Sequence, residues 1–230
     1  MPIPPEILQG IQLLIFDLDG TLVDSKLDLA LSVNAMLAEM HCSQLPHAQI
    51  ATYVGHGVSN LIRRALGDAA TDEKVESGLE FFLAYYRQHM LDNTVAYPGV
   101  REALEELKGG RLAVLTNKPV RFSQEILSGL GLADYFAHIY GGNSFAQKKP
   151  DPVGVVKLMG DMKVSPQQTL IVGDSDTDVL TGRNAGIWTC GVTYGFAPDG
   201  FKETPPDLVV DDLRELPPLL KGSRPDRDCK

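Results

Sequence analysis

The 230-residue chain is large enough for one sizeable domain carrying a modest inserted lobe. Its 43% hydrophobic and 22% charged residues exclude a globally disordered or fibrous protein. Lys and Arg number 21 against 30 Asp and Glu, a formal net charge of −9 that disfavours general nucleic-acid or anionic-membrane binding. An anionic substrate must then be drawn in by local cations. Cys42, Cys190 and Cys229 are far apart and form no Cys-x-x-Cys, which suits a reducing compartment. The N-terminal MPIPPEILQG has no signal-peptide pattern, and apolar runs such as Leu13–Phe16 are too short to span a bilayer. The expectation is a soluble cytoplasmic protein.

Taken in chain order, short apolar runs alternate with helical patterns. Strands are expected at Leu13–Phe16, Leu112–Leu115 and Thr169–Val172, with weaker ones around Ile139, Val192 and Leu208–Val210. Continuous apolar runs of this length fit strands buried on both faces of a parallel sheet. Helices are expected over roughly 99–108, 119–129, 152–162 and 176–185. This rhythm predicts a doubly wound, Rossmann-like α/β core formed by residues 1–25 and 95–220. Residues 26–94 break it. Leu27, Ala30, Leu31, Asn34, Met36, Leu37 and Met40 follow helical spacing, as do Leu61, Ile62, Ala65 and Leu66, then Val75, Leu79, Phe82, Tyr86 and Met90. These stripes predict core-facing packing in an all-helical cap inserted after the first strand. Residues 221–230 are polar and aperiodic, and read as a disordered tail.

Polar residues gather where the strands end. The first strand runs into Asp17-Leu18-Asp19-Gly20-Thr21, the second into Thr116-Asn117, and a third into Gly173-Asp174 with Asp178 beyond; Lys148-Lys149-Pro150 precedes a helix. In open α/β sheets the ligand crevice lies outside the carboxyl ends of the strands, so these four clusters should meet. The four together resemble the motifs of the haloacid dehalogenase superfamily, mostly magnesium-dependent phosphatases. The likeness extends to bacterial phosphoglycolate phosphatases in Val54-Gly55-His56-Gly57, Thr116-Asn117-Lys118-Pro119, Lys148-Lys149-Pro150, Val172-Gly173-Asp174-Ser175 and Thr193-Tyr194-Gly195. The resemblance implies a phosphomonoesterase acting on a small phosphorylated metabolite such as 2-phosphoglycolate, as a monomer or homodimer.

The residues themselves argue the same chemistry. Asp17 and Asp19 are two apart at a strand end, so both side chains leave on one face. Carboxylates that close repel unless a cation neutralises them, and a divalent metal would let Asp17 stay ionised as a nucleophile that forms an aspartyl-phosphate. Asp19 is then free as general acid and base. The superfamily assigns these same roles and adds the Asp19 backbone carbonyl as a metal ligand. An isolated aspartate here would read as a turn or cap residue; the other clusters decide against that. Gly20 permits close approach of a phosphate, and Thr21, Thr116 and Asn117 offer hydroxyl, amide or backbone donors to it. Lys149 offsets charge on the phosphoryl oxygens, and its choice over Lys148 rests on the resemblance. Only oxygen ligands are available, which favours Mg²⁺ held by Asp17, Asp19 and Asp174. In the family pattern Asp178 orients a metal-bound water or Lys149.

Substrate choice should lie in the cap. Gly55-His56-Gly57 is a glycine-flanked loop suited to closing over the site, and Arg63 or Arg64 on the next helix can pair with a substrate carboxylate. Arg64, His56 and Gly57 are the candidates, although an arginine on a helix face is by default solvated. The competing readings are a phosphosugar mutase, another sugar-phosphate phosphatase, or a receiver-like switch phosphorylated on Asp17. A dehalogenase is disfavoured by Asp19, and a receiver has no helical insert after its acceptor strand.

Overall fold

The computed structural model describes residues 3–222. In chain order the elements are α1 (Pro5–Leu8), β1 (Leu13–Phe16), β2 (Val23–Asp24), α2 (Lys26–Glu39), α3 (His47–Ala51), α4 (Val58–Leu66), α5 (Asp72–His89) and β3 (Val95–Ala96). There follow α6 (Val100–Glu106), β4 (Arg111–Leu115), α7 (Val120–Gly129), β5 (His138–Tyr140), α8 (Val153–Met162) and β6 (Thr169–Gly173). The chain continues through α9 (Asp176–Ala185), β7 (Trp188–Val192), β8 (Leu208–Val210) and α10 (Leu216–Leu220).

Six strands form a sheet in the order β5-β4-β1-β6-β7-β8, every neighbouring pair parallel. The expected strands and core helices all form, with ends shifted by a residue or two. Period-two alternation divides β1 between two cores. Leu13 and Ile15 pack with Ala113, Leu115, Val155, Leu158 and Ile171 beneath α8, while Leu14 and Phe16 join the larger core on the other face. Phe16 lies level with Val114 of β4 and Val172 of β6. The residues just beyond these strands, Asp17, Thr116 and Asp174, are therefore brought together by register alone. β1 is also the switch point, because the chain returns to the sheet on one side of it as β4 and later on the other as β6.

The helical stretch between residues 26 and 94 is framed by an element absent from the sequence reading. β2 and β3 pair antiparallel, Val23 opposite Ala96 and Asp24 opposite Val95, and bring the two ends of that stretch side by side. Two-residue strands leave no periodic signature, and their pairing spans the whole insert. Beside the ribbon, buried Asp28 accepts hydrogen bonds from the backbone N–H groups of Asn93 and Thr94, the Asn93 amide and the Thr94 hydroxyl, at 2.7–3.1 Å. Such a carboxylate is satisfied by dipoles and has no need of a counter-cation.

Within the helices, Leu61, Ile62, Ala65, Leu66, Val75, Phe82, Tyr86 and Met90 are buried as their spacing predicts. Leu27 and Leu31 are not; each is 42% exposed. The reason is that α2 packs along α5 and α3 with Leu29, Ala30, Val33, Met36 and Leu37, and even Asp28 and Asn34 are buried there. Asn34 is satisfied by the backbone of Leu45 in both directions. Leu27 and Leu31 are left on the outer side. Of the expected tail, Lys221 and Gly222 form a turn after α10 and residues 223–230 lie outside the described residues.

The Asp28 network predicts that Asp28→Ala strands four donor groups and lowers unfolding free energy by about 2–4 kcal/mol. Leu31→Lys should stay within about 0.5 kcal/mol of wild type. Urea denaturation measures both, and an Asp28→Ala change below that second bound overturns the first expectation.

Candidate active site

At the carboxyl edge of the sheet the β1 turn, the end of β4 and the end of β6 border one cavity of about 700 Å³, measured with its open mouth. Asp17, Asp19, Thr116, Lys118, Asp174 and Ser175 form its polar floor. Its other wall, contributed by the helical stretch and α7, is apolar: Val54, Val58, Leu61, Phe82 and Phe122 are the main groups.

Lys149 lies buried behind Asp17. Its ammonium is 2.9 Å from Asp17 Oδ1 and 2.6 Å from Asp178 Oδ1. The approach to Asp17 is that of an ion pair without hydrogen-bond alignment; that to Asp178 is a hydrogen bond. Burial works against the lysine's charge, yet the two aspartates outweigh it and hold its pKa above the ordinary lysine value. Lys148 is exposed, so geometry selects Lys149 for the interior. Asp178 has little freedom: Oδ1 takes Lys149, and Oδ2 accepts from the Ser175 N–H at 3.2 Å and its hydroxyl at 2.7 Å. Of the two partners the sequence reading gave it, a metal-bound water or Lys149, it is Lys149 that it meets by a hydrogen bond.

Asp174 sits in a nest of backbone. Oδ2 accepts from the N–H of Phe196 at 2.6 Å and of Ala197 at 3.3 Å, and Oδ1 faces the Thr21 hydroxyl at 3.4 Å. Gly20, at φ +87°, and Gly195 flank it so closely that a Cβ on either would overlap the carboxylate. Gly20 thus leaves the space that Asp174 occupies. Thr21, fully buried and bonded through its carbonyl to the Tyr194 hydroxyl at 2.9 Å, likewise supports Asp174 and is not a cavity-lining donor.

One carboxylate oxygen from each of Asp17, Asp174 and Asp178 lies within 4.8 Å of the others. Desolvation, then the charges of Asp178 and Asp17, push the pKa of Asp174 up to about 8. Desolvation likewise raises Asp17 to about 6 against the pull of Lys149. Four aspartates, with Asp19, face two ammonium groups here, a deficit that one divalent cation removes. The all-oxygen donor set fits a hard ion. Asp17 and Asp174 line the cavity and Asp178 does not, so Asp17 and Asp174 are the side chains open to it.

Asp19 points elsewhere. Its carboxylate accepts from the Ser25 hydroxyl at 2.5 Å and is straddled by Lys118, whose Nζ is 3.0 Å from both oxygens. It is not among the three clustered carboxylates, so a ligand role falls to its backbone carbonyl. Ser25 and Lys118 were not singled out as site residues. Lys118 carried one signal, a cation directly after the Thr116-Asn117 strand end. Thr116 lines the floor as expected, its hydroxyl accepting from the Lys118 N–H at 3.3 Å. Asn117 is committed to structure. Its amide donates to the carbonyls of Gly55 (2.9 Å) and Lys149 (3.0 Å), and its oxygen accepts from the Lys149 N–H (2.9 Å). Its side chain ties the helical stretch to the sheet edge, with both amide hydrogens engaged.

Of the expected cap residues, His56 and Arg64 are not brought into the cavity. His56 is exposed, Arg64 lies over the Tyr53 ring at 4.4 Å, and Arg63 pairs on the surface with Asp72 at 2.7 Å. Gly57 alone of that group lines it, with the Lys148 ammonium where a Cβ would stand. The helix carrying both arginines buries Leu61, Ile62, Ala65 and Leu66, so its polar face turns to solvent.

Residues 14–192 match the model of the haloacid dehalogenase-like hydrolases. The chain belongs to that family. It is 41% identical over 215 residues to the phosphoglycolate phosphatase of Haemophilus influenzae, covering 89% of this chain and 96% of that protein. To the phosphoglycolate phosphatase of Pseudomonas savastanoi pv. phaseolicola it is 42% identical, covering 90% and 79%. Among solved structures, a predicted phosphoglycolate phosphatase from Haemophilus somnus superposes with TM-score 0.85 at 35% identity, over 90% of this chain and 96% of that one. The chain is a hydrolase, and a receiver-like switch is set aside. Among the described residues no helix is long and apolar enough to cross a membrane.

Asp174→Asn tests the charge balance of the floor. Without metal, and at a pH above about 8 where Asp174 is ionised, the variant removes one of several crowded buried charges. It should gain about 1–3 kcal/mol of stability, while losing the rise in melting temperature that MgCl₂ produces in wild type. A calorimetric melt showing an undiminished magnesium response would exclude Asp174 as a ligand.

Proposed function

We propose that the protein is a magnesium-dependent phosphomonoesterase that hydrolyses 2-phosphoglycolate to glycolate and phosphate through an aspartyl-phosphate on Asp17. The observation carrying the reaction type is the placement of Asp17 against the buried Lys149 ammonium, with a second carboxylate, Asp19, on the same cavity floor. The substrate is supported by the phosphoglycolate phosphatases to which the chain is about 40% identical over most of its length.

Asp17 and Asp174 would hold Mg²⁺ together with the Asp19 carbonyl, and the ion supplies positive charge that lets a phosphate dianion approach a carboxylate. The remaining chemistry belongs to the chain. Lys149 secures Asp17 Oδ1 and stands ready to offset charge on the phosphoryl oxygens, while Thr116 donates its hydroxyl to one of them. The free oxygen of Asp17 attacks phosphorus as the bond to the glycolate oxygen breaks. Asp19 delivers its proton to that departing oxygen. It then removes a proton from water, whose oxygen attacks the phosphorus, breaks the bond to Asp17 and releases phosphate. Lys118 and Ser25 keep the Asp19 carboxylate in place. Residues 26–94 act as a cap hung from the β2–β3 ribbon and latched by Asn117 to Gly55; its apolar wall keeps bulk water from the intermediate. A reducing cytoplasmic setting, with Cys42 and Cys190 as free thiols, completes the proposal.

A panel of phosphorylated metabolites assayed for phosphate release should show 2-phosphoglycolate preferred and Mg²⁺ required; turnover surviving exhaustive chelation, or a sugar phosphate isomerised without phosphate release, would sink the assignment. Rapid quench with labelled substrate should trap a phosphoprotein in wild type and none in Asp17→Asn. Asp19→Asn should slow turnover by roughly a hundredfold or more.

A further inference from the structure

An ester with a carboxylate poses a problem for this cavity. The phosphoryl group is met on the floor, but the carbon end must enter a space walled by Val54, Leu61, Phe82 and Phe122. An ionised carboxylate there loses its hydration and needs a charged or hydrogen-bonding partner in exchange. Neither arginine of α4 supplies one, and His56 is outside. Among the described residues lining the cavity, Lys118 carries the only positive charge.

Lys118 is placed for the task in three respects. Its side chain is only 5% exposed, so its charge is not dispersed into solvent. Its ammonium spends its hydrogens on the two oxygens of Asp19, each at 3.0 Å, leaving a third N–H. It also lies 4.7 Å from the centroid of the Tyr86 ring. Tyr86 lines the same cavity and is buried; its hydroxyl makes no aligned hydrogen bond, although it lies close enough to the Lys118 ammonium for the two to interact. A buried hydroxyl left unpaired is costly, and a ligand that accepts from it recovers that cost. Two under-used donors thus stand side by side next to Asp19.

We infer that Lys118 and Tyr86 form the subsite that receives the substrate's carboxylate, so that specificity is read from the sheet edge and the inner face of α5 rather than from the arginines of α4. The distances follow from the reaction proposed above, on which the inference rests. Asp19 protonates the bridging oxygen, so that oxygen lies against Asp19. In phosphoglycolate the carboxylate carbon is two bonds further on, within reach of an ammonium that itself touches Asp19. An ester that ends in a methyl group brings nothing for Lys118 or Tyr86 to bind and leaves both unsatisfied.

The test compares 2-phosphoglycolate with ethyl phosphate, in which methyl replaces carboxylate, for wild type, Lys118→Met, Lys118→Arg and Tyr86→Phe, with melting temperatures recorded for each. Wild type should prefer phosphoglycolate. Lys118→Met should reduce the ratio of the two kcat/KM values by ten- to a hundredfold. Lys118→Arg should restore part of that ratio, and Tyr86→Phe, which keeps the ring and its packing, should lower it three- to tenfold. The affinity for 3-phosphonopropionate, measured by calorimetry with Mg²⁺, should fall in parallel, and that for inorganic phosphate should fall less. Equal losses on both esters mean that Lys118 acts only through Asp19 and overturn the inference. So does a ratio unchanged in Tyr86→Phe and Lys118→Arg, the variants that decide if Lys118→Met does not fold. If wild type shows no preference for phosphoglycolate, the substrate assignment itself falls; if it does and the variants keep it, only the Lys118–Tyr86 subsite falls.

Discussion

Burying like charges at one edge of a sheet is the constraint around which this molecule is arranged. Asp17, Asp174 and Asp178 converge within a few ångströms, with Asp19 beside them, in a place where carboxylates are poorly solvated. Lys149 lies between Asp17 and Asp178, Lys118 straddles Asp19, and the backbone N–H groups of Phe196 and Ala197 hold Asp174. These partners do not neutralise the site fully. Burial first, and like-charged neighbours after it, raise the pKa values of Asp174 and Asp17, and a divalent cation would relieve both. In the proposed mechanism this crowding and the catalytic capacity are one feature: an aspartate relieved of its like-charged neighbours by cations would be ready to attack a phosphoryl group.

The rest of the fold serves this arrangement. Parallel strands in matched register put the ends of β1, β4 and β6 level, so that short motifs far apart in the chain meet without long side chains reaching for one another. Glycines at 20 and 195 leave room for Asp174 where any side chain would displace it. The helical stretch has two duties. Its inner residues Phe82 and Tyr86 fill the core between helices, and the same faces form the dry wall of the cavity. Asp28 ties the two ends of that stretch together through Asn93 and Thr94, and the Asn117 amide binds it to the sheet edge through the Gly55 carbonyl. Lys118 on the polar floor and Tyr86 on α5 line the same cavity.

Much of this was legible in the residue order. Apolar runs of four or five residues between helical periods marked the buried strands, because a parallel strand covered on both faces admits few polar residues. Polar residues directly after those runs marked the site, because the strand ends are where such a sheet opens. Sequence therefore determined the α/β core, the helical insert, the family and the meeting of Asp17, Asp19, Thr116, Lys149, Asp174 and Asp178. Tertiary structure alone decided the partners. Whether Arg64 or Lys118 enters the cavity depends on how α4 is rotated by its buried face, and helical spacing gives a face without naming what lies opposite. Whether Asn117, Gly20 and Thr21 meet a substrate or hold another residue depends on contacts between segments up to 173 positions apart, as between Thr21 and Tyr194. Leu27 and Leu31 carry the same lesson, since a leucine stripe records amphipathicity and only the neighbours of α2 determine which side is covered. Local order is written in local sequence; pairing across the fold follows from packing, and packing is a property of the whole chain.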